Sequence, residues 1–136
     1  MGKFSERYKT DRKSEEEGIW VDFGDGIKVQ LRRMNSDHSK KTRARLEKPY
    51  ATTYRGREMP QSLQEDLLNK QMAQSIVMNW EGIEDPKSDG KMLAYTEENV
   101  LRICEEFKDF REDLLTASME RATFQLEALK DAEGNS

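Results

Sequence analysis

The chain has 136 residues, a formal net charge of −4 and one cysteine, and charged residues (37 %) outnumber hydrophobic ones (35 %). This length and a mean hydropathy of −0.99 predict one domain with a small core rather than several domains. The single cysteine, Cys104, excludes an intramolecular disulfide and favours a reducing compartment, and no apolar run suits a membrane span or a signal peptide.

Charge is distributed unevenly along the chain. Residues 1–57 hold 15 lysines and arginines against 9 aspartates and glutamates, a net of +6, whereas residues 58–136 hold 8 against 18, a net of −10. The basic half can attract the acidic half within one chain or in another copy. Self-association is therefore expected, and salt should weaken it.

The first segment, residues 1–17, is mostly charged and has Phe4 and Tyr8 as its aromatic residues. This composition predicts a flexible N-terminal arm. The two aromatic side chains are candidates for docking on a partner, and a solvated tail is the alternative.

Residues 18–34 change to two β-prone runs around the turn Gly24–Asp25–Gly26, which predicts a β-hairpin. An isolated hairpin is barely stable in water, so this one must pack on helices or pair with another strand. Its exposed edge is a candidate docking surface for a partner.

Four helices are predicted after the hairpin, at about 37–49, 60–80, 96–107 and 109–130. The first follows N-cap residues at 35–37 and is strongly basic. The positive segment 40–57 would suit the phosphates of a nucleic acid. Because the whole chain is acidic and no nucleic-acid motif surrounds this segment, nucleic acid is the weaker alternative as a partner.

The second and fourth predicted helices carry apolar stripes. In helix 60–80 the stripe has helical spacing and predicts a core face. In helix 109–130 a lengthwise seam is predicted to pack on a neighbour, with the same chain favoured over a second copy. Its members are Leu115, Met119, Ala122, Leu126 and Leu129. Residues 131–136 are predicted to form a disordered tail.

Residues 78–99 are predicted to form an elbow between the second and third helices. Trp80 and Ile83 are expected to seal one helix against the next, and Tyr95 to close the turn. The elbow is interpreted as a packing corner of the core.

The polar turn in the elbow resembles a calcium-binding loop in part. Asp85, Asp89 and Gly90 fall at the right offsets, but Lys87 occupies a ligand position. Thr96 stands where a bidentate glutamate is needed. A calcium site is therefore rejected.

The sequence offers few groups for catalysis. His38 has no cysteine or second histidine at metal-ligand spacing, and neither a Ser-His-Asp arrangement nor a phosphate-binding glycine loop can be read. Cys104 falls on an apolar helical face, which favours an inert buried thiol over a nucleophile. We predict that the chain is not an enzyme and uses no metal and no cofactor.

Together these patterns predict an α+β fold, predominantly α, in which an N-terminal β-hairpin packs on a small bundle of about four helices in one domain, residues 18–130. The predicted core residues are Leu63, Leu67, Met72, Ile76, Trp80, Leu101, Cys104, Leu115 and Leu126. The residues predicted to contact a partner are Trp20, Phe23, Val29, Leu31, Arg43, Arg45, Ile83 and Tyr95.

Several short motifs follow one another in a familiar order over residues 18–120. They are Gly18-Ile19-Trp20-Val21, Arg33-Met34-Asn35, Lys48-Pro49-Tyr50, Trp80-Glu81-Gly82-Ile83 and the Tyr-Thr-x-Glu-Asn of residues 95–99. In this order the chain resembles the tail assembly chaperones of long-tailed bacteriophages. It departs from the family at residues 105–109, which lack the proline that usually precedes the last helix.

The resemblance implies a non-enzymatic binding protein that keeps the tape measure protein soluble in the host cytoplasm, promotes assembly of the tail tube and is absent from the mature virion. It also implies tape measure protein as the partner, with tail tube protein as a further one. Such chaperones often occur in two lengths that are related by a ribosomal frameshift. The alternatives are a structural tail or connector protein of the virion and a nucleic-acid-associated protein using segment 40–57.

Overall fold

The computed structural model describes residues 2–125, and that part of the chain contains six α-helices, three strands and a helical stretch that begins at residue 121. In chain order the α-helices and strands are α1 (Lys3–Tyr8), α2 (Arg12–Glu17), β1 (Ile19–Gly24), β2 (Ile27–Leu31), α3 (Asp37–Glu47), α4 (Gln61–Gln71), β3 (Val77–Glu81), α5 (Glu97–Glu106) and α6 (Lys108–Met119). The prediction of an α+β fold that is predominantly α is confirmed. In the described part, no helix has both the length and the apolar character that a bilayer crossing requires.

The three strands form one antiparallel sheet in the order β1-β2-β3. The predicted hairpin is present, and its turn places Asp25 (φ 55°) and Gly26 (φ 80°) in the left-handed region, as tight two-residue hairpin turns require. Val29 lies at the centre of the sheet, paired with Val21 on one side and Trp80 on the other. The hairpin therefore obtains its third strand from its own chain.

The third strand corrects the prediction of a helix over 60–80. Helix α4 continues as a wider π-helical turn, Met72–Ile76, and the chain then runs as strand β3. The spacing of Met72, Ile76 and Trp80 suits a helix, and in the strand that forms instead Val77 and Trp80 are the buried residues. The strand forms because it pairs with the open edge of β2, which satisfies backbone groups that a lone hairpin would leave exposed.

The core lies between one face of the sheet, the π-helical turn and helices α5 and α6. Its fully buried members are Val29, Leu31, Met72, Ile76, Val100, Cys104 and Leu114. Of the predicted core residues, those that are buried are Leu67, Met72, Ile76, Trp80 and Cys104, and those half-buried are Leu63, Leu101 and Leu115. Leu126 lies outside the described residues.

The N-terminal arm, predicted to be flexible over residues 1–17, contains helices α1 and α2. Helix α2 is capped by Asp11, which accepts from the Lys13 amide. It is tied to the sheet because the Arg33 amide donates to the Glu15 carbonyl at 3.0 Å. The bond between Arg33 and Glu15 joins residues distant in sequence and leaves no periodic signal there.

The last predicted helix, 109–130, is broken. Helix α6 ends at Met119, Glu120 is extended, and a new helical stretch runs from residue 121 to the end of the described chain. The buried face of α6 includes Leu114 and Ser118, whereas Met119 is exposed. The predicted apolar seam is therefore wrong at Met119, because the preceding residue, Ser118, takes the buried position. Leu129 and the tail 131–136 lie outside the described residues.

Candidate partner-binding groove

An open groove lies at the end of the sheet where the hairpin turns. Its volume is about 430 Å³, and the hairpin, the loop after β3 and the junction of α5 with α6 form its walls. Its apolar lining consists of Ile27, Ile83, Ile103, Phe107 and Phe110. A volume of this size lies in the range of about 300–1,000 Å³ found for binding sites.

The helical wall is built around Phe107, which separates α5 from α6. Its backbone leaves the helical region (φ −115°, ψ 80°) while its amide still donates to the Ile103 carbonyl at 2.8 Å. The break turns the Phe107 side chain toward the groove and leaves it 41 % exposed. One turn later Phe110 packs edge-on against Phe23, with ring centroids 6.1 Å apart. An exposed phenylalanine thus stands beside a packed one.

The opposite wall depends on Gly82, which follows β3 with a φ of 77°. A Cβ at this position would overlap the carbonyl oxygen of Gly26 and lie 2.7 Å from its carbonyl carbon. The loop can therefore lie directly on the hairpin turn. The Leu93 amide donates to the Ile83 carbonyl at 2.7 Å, which holds Ile83 over the groove.

The charged side chains that line the groove, Asp25 and Glu84, are both acidic. Next to Phe107 along the chain, the acidic Glu106 and the basic Lys108 are both exposed, and the exposed Asp109 follows. Carboxylates around an apolar centre attract a partner that carries basic residues beside its apolar ones. The groove therefore suits an apolar helix with basic flanks.

The hairpin residues predicted to contact a partner are in different environments. Phe23 packs against Phe110 at the edge of the groove. Val29 and Leu31 are 0 % exposed, so they are core residues and cannot contact a partner in the folded chain. Trp20 is exposed, but it lines a different cavity, on the side of Glu120.

Ile83 and Tyr95, which were also predicted to contact a partner, lie in different environments as well. Ile83 lines the groove. The Tyr95 hydroxyl donates to the Val77 carbonyl at 2.8 Å, and its ring packs on Trp80.

In the basic helix α3, both predicted contact arginines already have a partner within the chain. Arg43 pairs with Glu47, and the Arg45 guanidinium donates to Gln74 at 2.6 Å. These contacts occupy part of each guanidinium group, which reduces the capacity of the two arginines to bind phosphates.

Sequence reasoning missed four of the five large apolar lining residues: Ile27, Ile103, Phe107 and Phe110. Phe107 and Phe110 were visible as a possible break between two helices. The useful signal is that phenylalanine occupies the N-cap position of α6, where polar residues are usual. An apolar residue at a helix start is a candidate for contact with something outside the helix.

A polar cluster that the sequence did not predict joins β2, α3 and the π-helical turn. His38 Nδ1 lies 2.8 Å from the Ser75 hydroxyl oxygen and 3.0 Å from Arg32 Nη1. The same Arg32 nitrogen donates to the Ser75 carbonyl at 2.7 Å. Because two donors already converge on Nδ1, this nitrogen holds the three segments together and is not poised as a base.

The pKa of His38 is lowered, first by partial burial and then by the neighbouring Arg32 charge. The unfolded chain then takes up the proton at higher pH, near the ordinary pKa of about 6.5, so the stabilisation is complete above that value and is lost as the pH falls from there through the lowered pKa of the folded state. We expect denaturant titrations to give a lower free energy of unfolding at about pH 5.5 than at about pH 7.5. His38 is the chain's single histidine. The His38→Gln variant should lack this part of the pH dependence, and an unchanged dependence would contradict the assignment.

Cys104 lies in the core with no exposed surface. Burial raises the pKa of its thiol to about 12, although Arg111 acts in the opposite direction. The thiolate is therefore scarce at neutral pH, and thiolate is the reactive form.

A family model described as "YdaY prophage protein" matches residues 34–135, three quarters of the chain. The matched region contains the loop after β3 and helices α5 and α6, hence most of the groove lining, while the arm and hairpin precede it. No curated protein and no solved structure was found to match the chain.

Proposed function

Since this chain belongs to the YdaY prophage protein family and is a phage-derived protein, we propose that it is a tail assembly chaperone. In this role it binds the tape measure protein without catalysing a reaction and keeps it soluble until tail tube protein assembles around it. The family match supports the phage origin, and the ordered motifs from Gly18 to Asn99 support the finer assignment.

The observation that carries the proposal is the groove itself. Phe107 is a large apolar side chain that remains 41 % exposed beside an apolar cavity. A long amphipathic client exposes apolar stripes that aggregate unless they are covered. A client helix bound in the groove would cover both the exposed Phe107 and its own apolar stripe, with side chains at positions i, i+3 and i+4 as anchors.

The acidic rim fits the same role. Asp25 and Glu84 would face the polar flanks of the bound helix and favour segments with lysine or arginine beside the apolar stripe. One such groove binds weakly, but many copies along one filament add up by multivalency. The chaperone would act in the host cytoplasm and leave before the virion is complete.

Co-expression with the tape measure protein of the same prophage tests the proposal. The wild-type chain is expected to keep the tape measure protein soluble and to co-purify with it. Phe107→Asp should abolish both effects, because it removes the exposed aromatic ring and places a carboxylate, which is costly to desolvate, at the apolar centre of the groove. Aspartate is also a favourable N-cap for α6, so the fold should be retained, which circular dichroism will check.

Met119→Asp is the matched control, because it replaces another exposed apolar residue by aspartate outside the groove. It should behave as wild type. A tape measure protein that stays insoluble with the wild-type chain would overturn the proposal. Recovery of the chain in purified virions would favour a structural tail protein, and loss of nucleic-acid binding in Arg43→Ala/Arg45→Ala would favour the alternative at segment 40–57.

A further inference from the structure

The outer part of the N-terminal arm, residues 2–13, presents two aromatic side chains without burying either. Phe4 is 77 % exposed and Tyr8 50 % exposed, and their rings lie 5.1 Å apart, one helical turn from each other along α1. A helix of six residues is not stable in water alone, and α1 has no buried residue. The contacts that hold it include Arg121 over the Tyr8 ring and a hydrogen bond from Gln125. The arm is thus lightly attached.

Charge distinguishes the arm from the groove. The outer part of the arm carries five basic residues against the acidic Glu6 and Asp11, a net of +3, and Glu15, Glu16 and Glu17 at its base bring residues 1–17 to a net of 0. The basic residues are Lys3, Arg7, Lys9, Arg12 and Lys13. The groove carries acidic Asp25 and Glu84 around an apolar centre. An aromatic helix with basic flanks matches such a groove in both apolarity and charge.

The two features lie at opposite ends of the sheet. The arm joins the molecule where β1 begins, near Gly18, and the Asp11 amide there donates to the Phe124 carbonyl. The groove lies where β1 ends and the hairpin turns at Asp25. Six strand residues at about 3.3 Å each separate the ends by about 20 Å. An arm at one end and a groove at the other favour contact between copies over closure within one copy.

We infer that the arm of one copy binds in the groove of a second copy, with Phe4 and Tyr8 beside Phe107. The contact joins two different surfaces, so it is heterologous and can be repeated from copy to copy. The inference rests on the proposed function in one respect, that the groove is a binding surface. It deepens that function, because a client helix and the arm compete for the groove.

Sedimentation velocity of the full-length chain over a concentration series tests the inference. The weight-average sedimentation coefficient of the wild type should rise with concentration and fall again when salt is added, since screening weakens the charge attraction. Phe4→Ser/Tyr8→Ser lacks the aromatic face of the arm, and Phe107→Asp lacks a receptive groove. Each variant alone should stay monomeric.

Mixing the two variants makes the test specific. In the mixture, Phe107→Asp supplies the intact arm and Phe4→Ser/Tyr8→Ser supplies the intact groove. One molecule of each can therefore join, and the mixture should form dimers and nothing larger. Met119→Asp, with both surfaces intact, should assemble as wild type. A wild type that stays monomeric, a variant that assembles as wild type, or a mixture that remains monomeric or forms larger species would each overturn the inference.

Failure of this inference is distinguishable from failure of the proposed function. Phe4→Ser/Tyr8→Ser leaves the groove intact and should keep the tape measure protein soluble as well as wild type does. A wild type that self-associates but leaves the tape measure protein insoluble overturns the function and not the inference. A wild type that stays monomeric but keeps the tape measure protein soluble overturns the inference and not the function.

Discussion

Trp80→Ala is expected to lower the free energy of unfolding by about 3–5 kcal/mol, the range for removing a buried tryptophan. Trp80 is 6 % exposed and pairs with Val29 across the sheet. Its indole Nε1 donates to the Leu93 carbonyl at 2.9 Å, and Tyr95 packs edge-on with ring centroids 5.9 Å apart. The substitution leaves a cavity and an unpaired buried carbonyl. Denaturant titration followed by circular dichroism measures the change.

Trp20→Ala is the matched control for that measurement. Trp20 is the chain's other tryptophan, lies in the same sheet and is 43 % exposed. Its loss should cost much less, because less apolar area leaves contact with protein. If Trp80→Ala cost no more than Trp20→Ala, the corner at Trp80 would not belong to the core.

Gly82→Ala is expected to destabilise the chain by about 3 kcal/mol or more. A left-handed backbone costs an L-residue about 1–2 kcal/mol, and overpacking adds about 1–3 kcal/mol. The added Cβ would meet backbone atoms of Gly26, which cannot rotate aside as a side chain can. Relief requires the loop after β3 to lift from the hairpin, which would also open the groove. Thermal and denaturant unfolding measure the loss.

Gly90→Ala separates the two contributions. Gly90 has nearly the same φ, 76° against 77°, and a Cβ there meets nothing within 4 Å. Its substitution should therefore show the backbone cost alone. Equal losses at both positions would contradict the close contact between Gly82 and the hairpin turn.

The sequence was sufficient for elements whose signals are local. The hairpin was predictable because the turn Gly24–Asp25–Gly26 separates two β-prone runs. Helix α5 was predictable because Thr96 caps it, accepting from the Asn99 amide at 3.0 Å. In both cases the determining residues lie within a few positions of the element.

Strand β3 could not be predicted in this way. Met72, Ile76 and Trp80 fit a helical stripe, and the same stretch is also compatible with a short strand. The outcome depends on pairing of Trp80 with Val29, a contact distant in sequence. Tertiary pairing overrides local propensity in such stretches.

The groove was beyond sequence reasoning for a related reason. Three segments form it, and the contact that brings two of them together is between Gly82 and Gly26. Neither glycine shows its partner in the sequence. Ile83 was predicted as a contact residue from the elbow, whereas Phe107 became a candidate only when the break between α5 and α6 was seen to face the cavity.

Hydrogen exchange of the full-length chain with and without its tape measure protein tests the central claim most directly, because it maps the bound surface. Binding in the groove predicts slower amide exchange in residues 82–86 and 103–110, with no change in the basic segment 40–57. Protection confined to residues 40–57, or a complex that leaves both groove segments unprotected, would contradict the account.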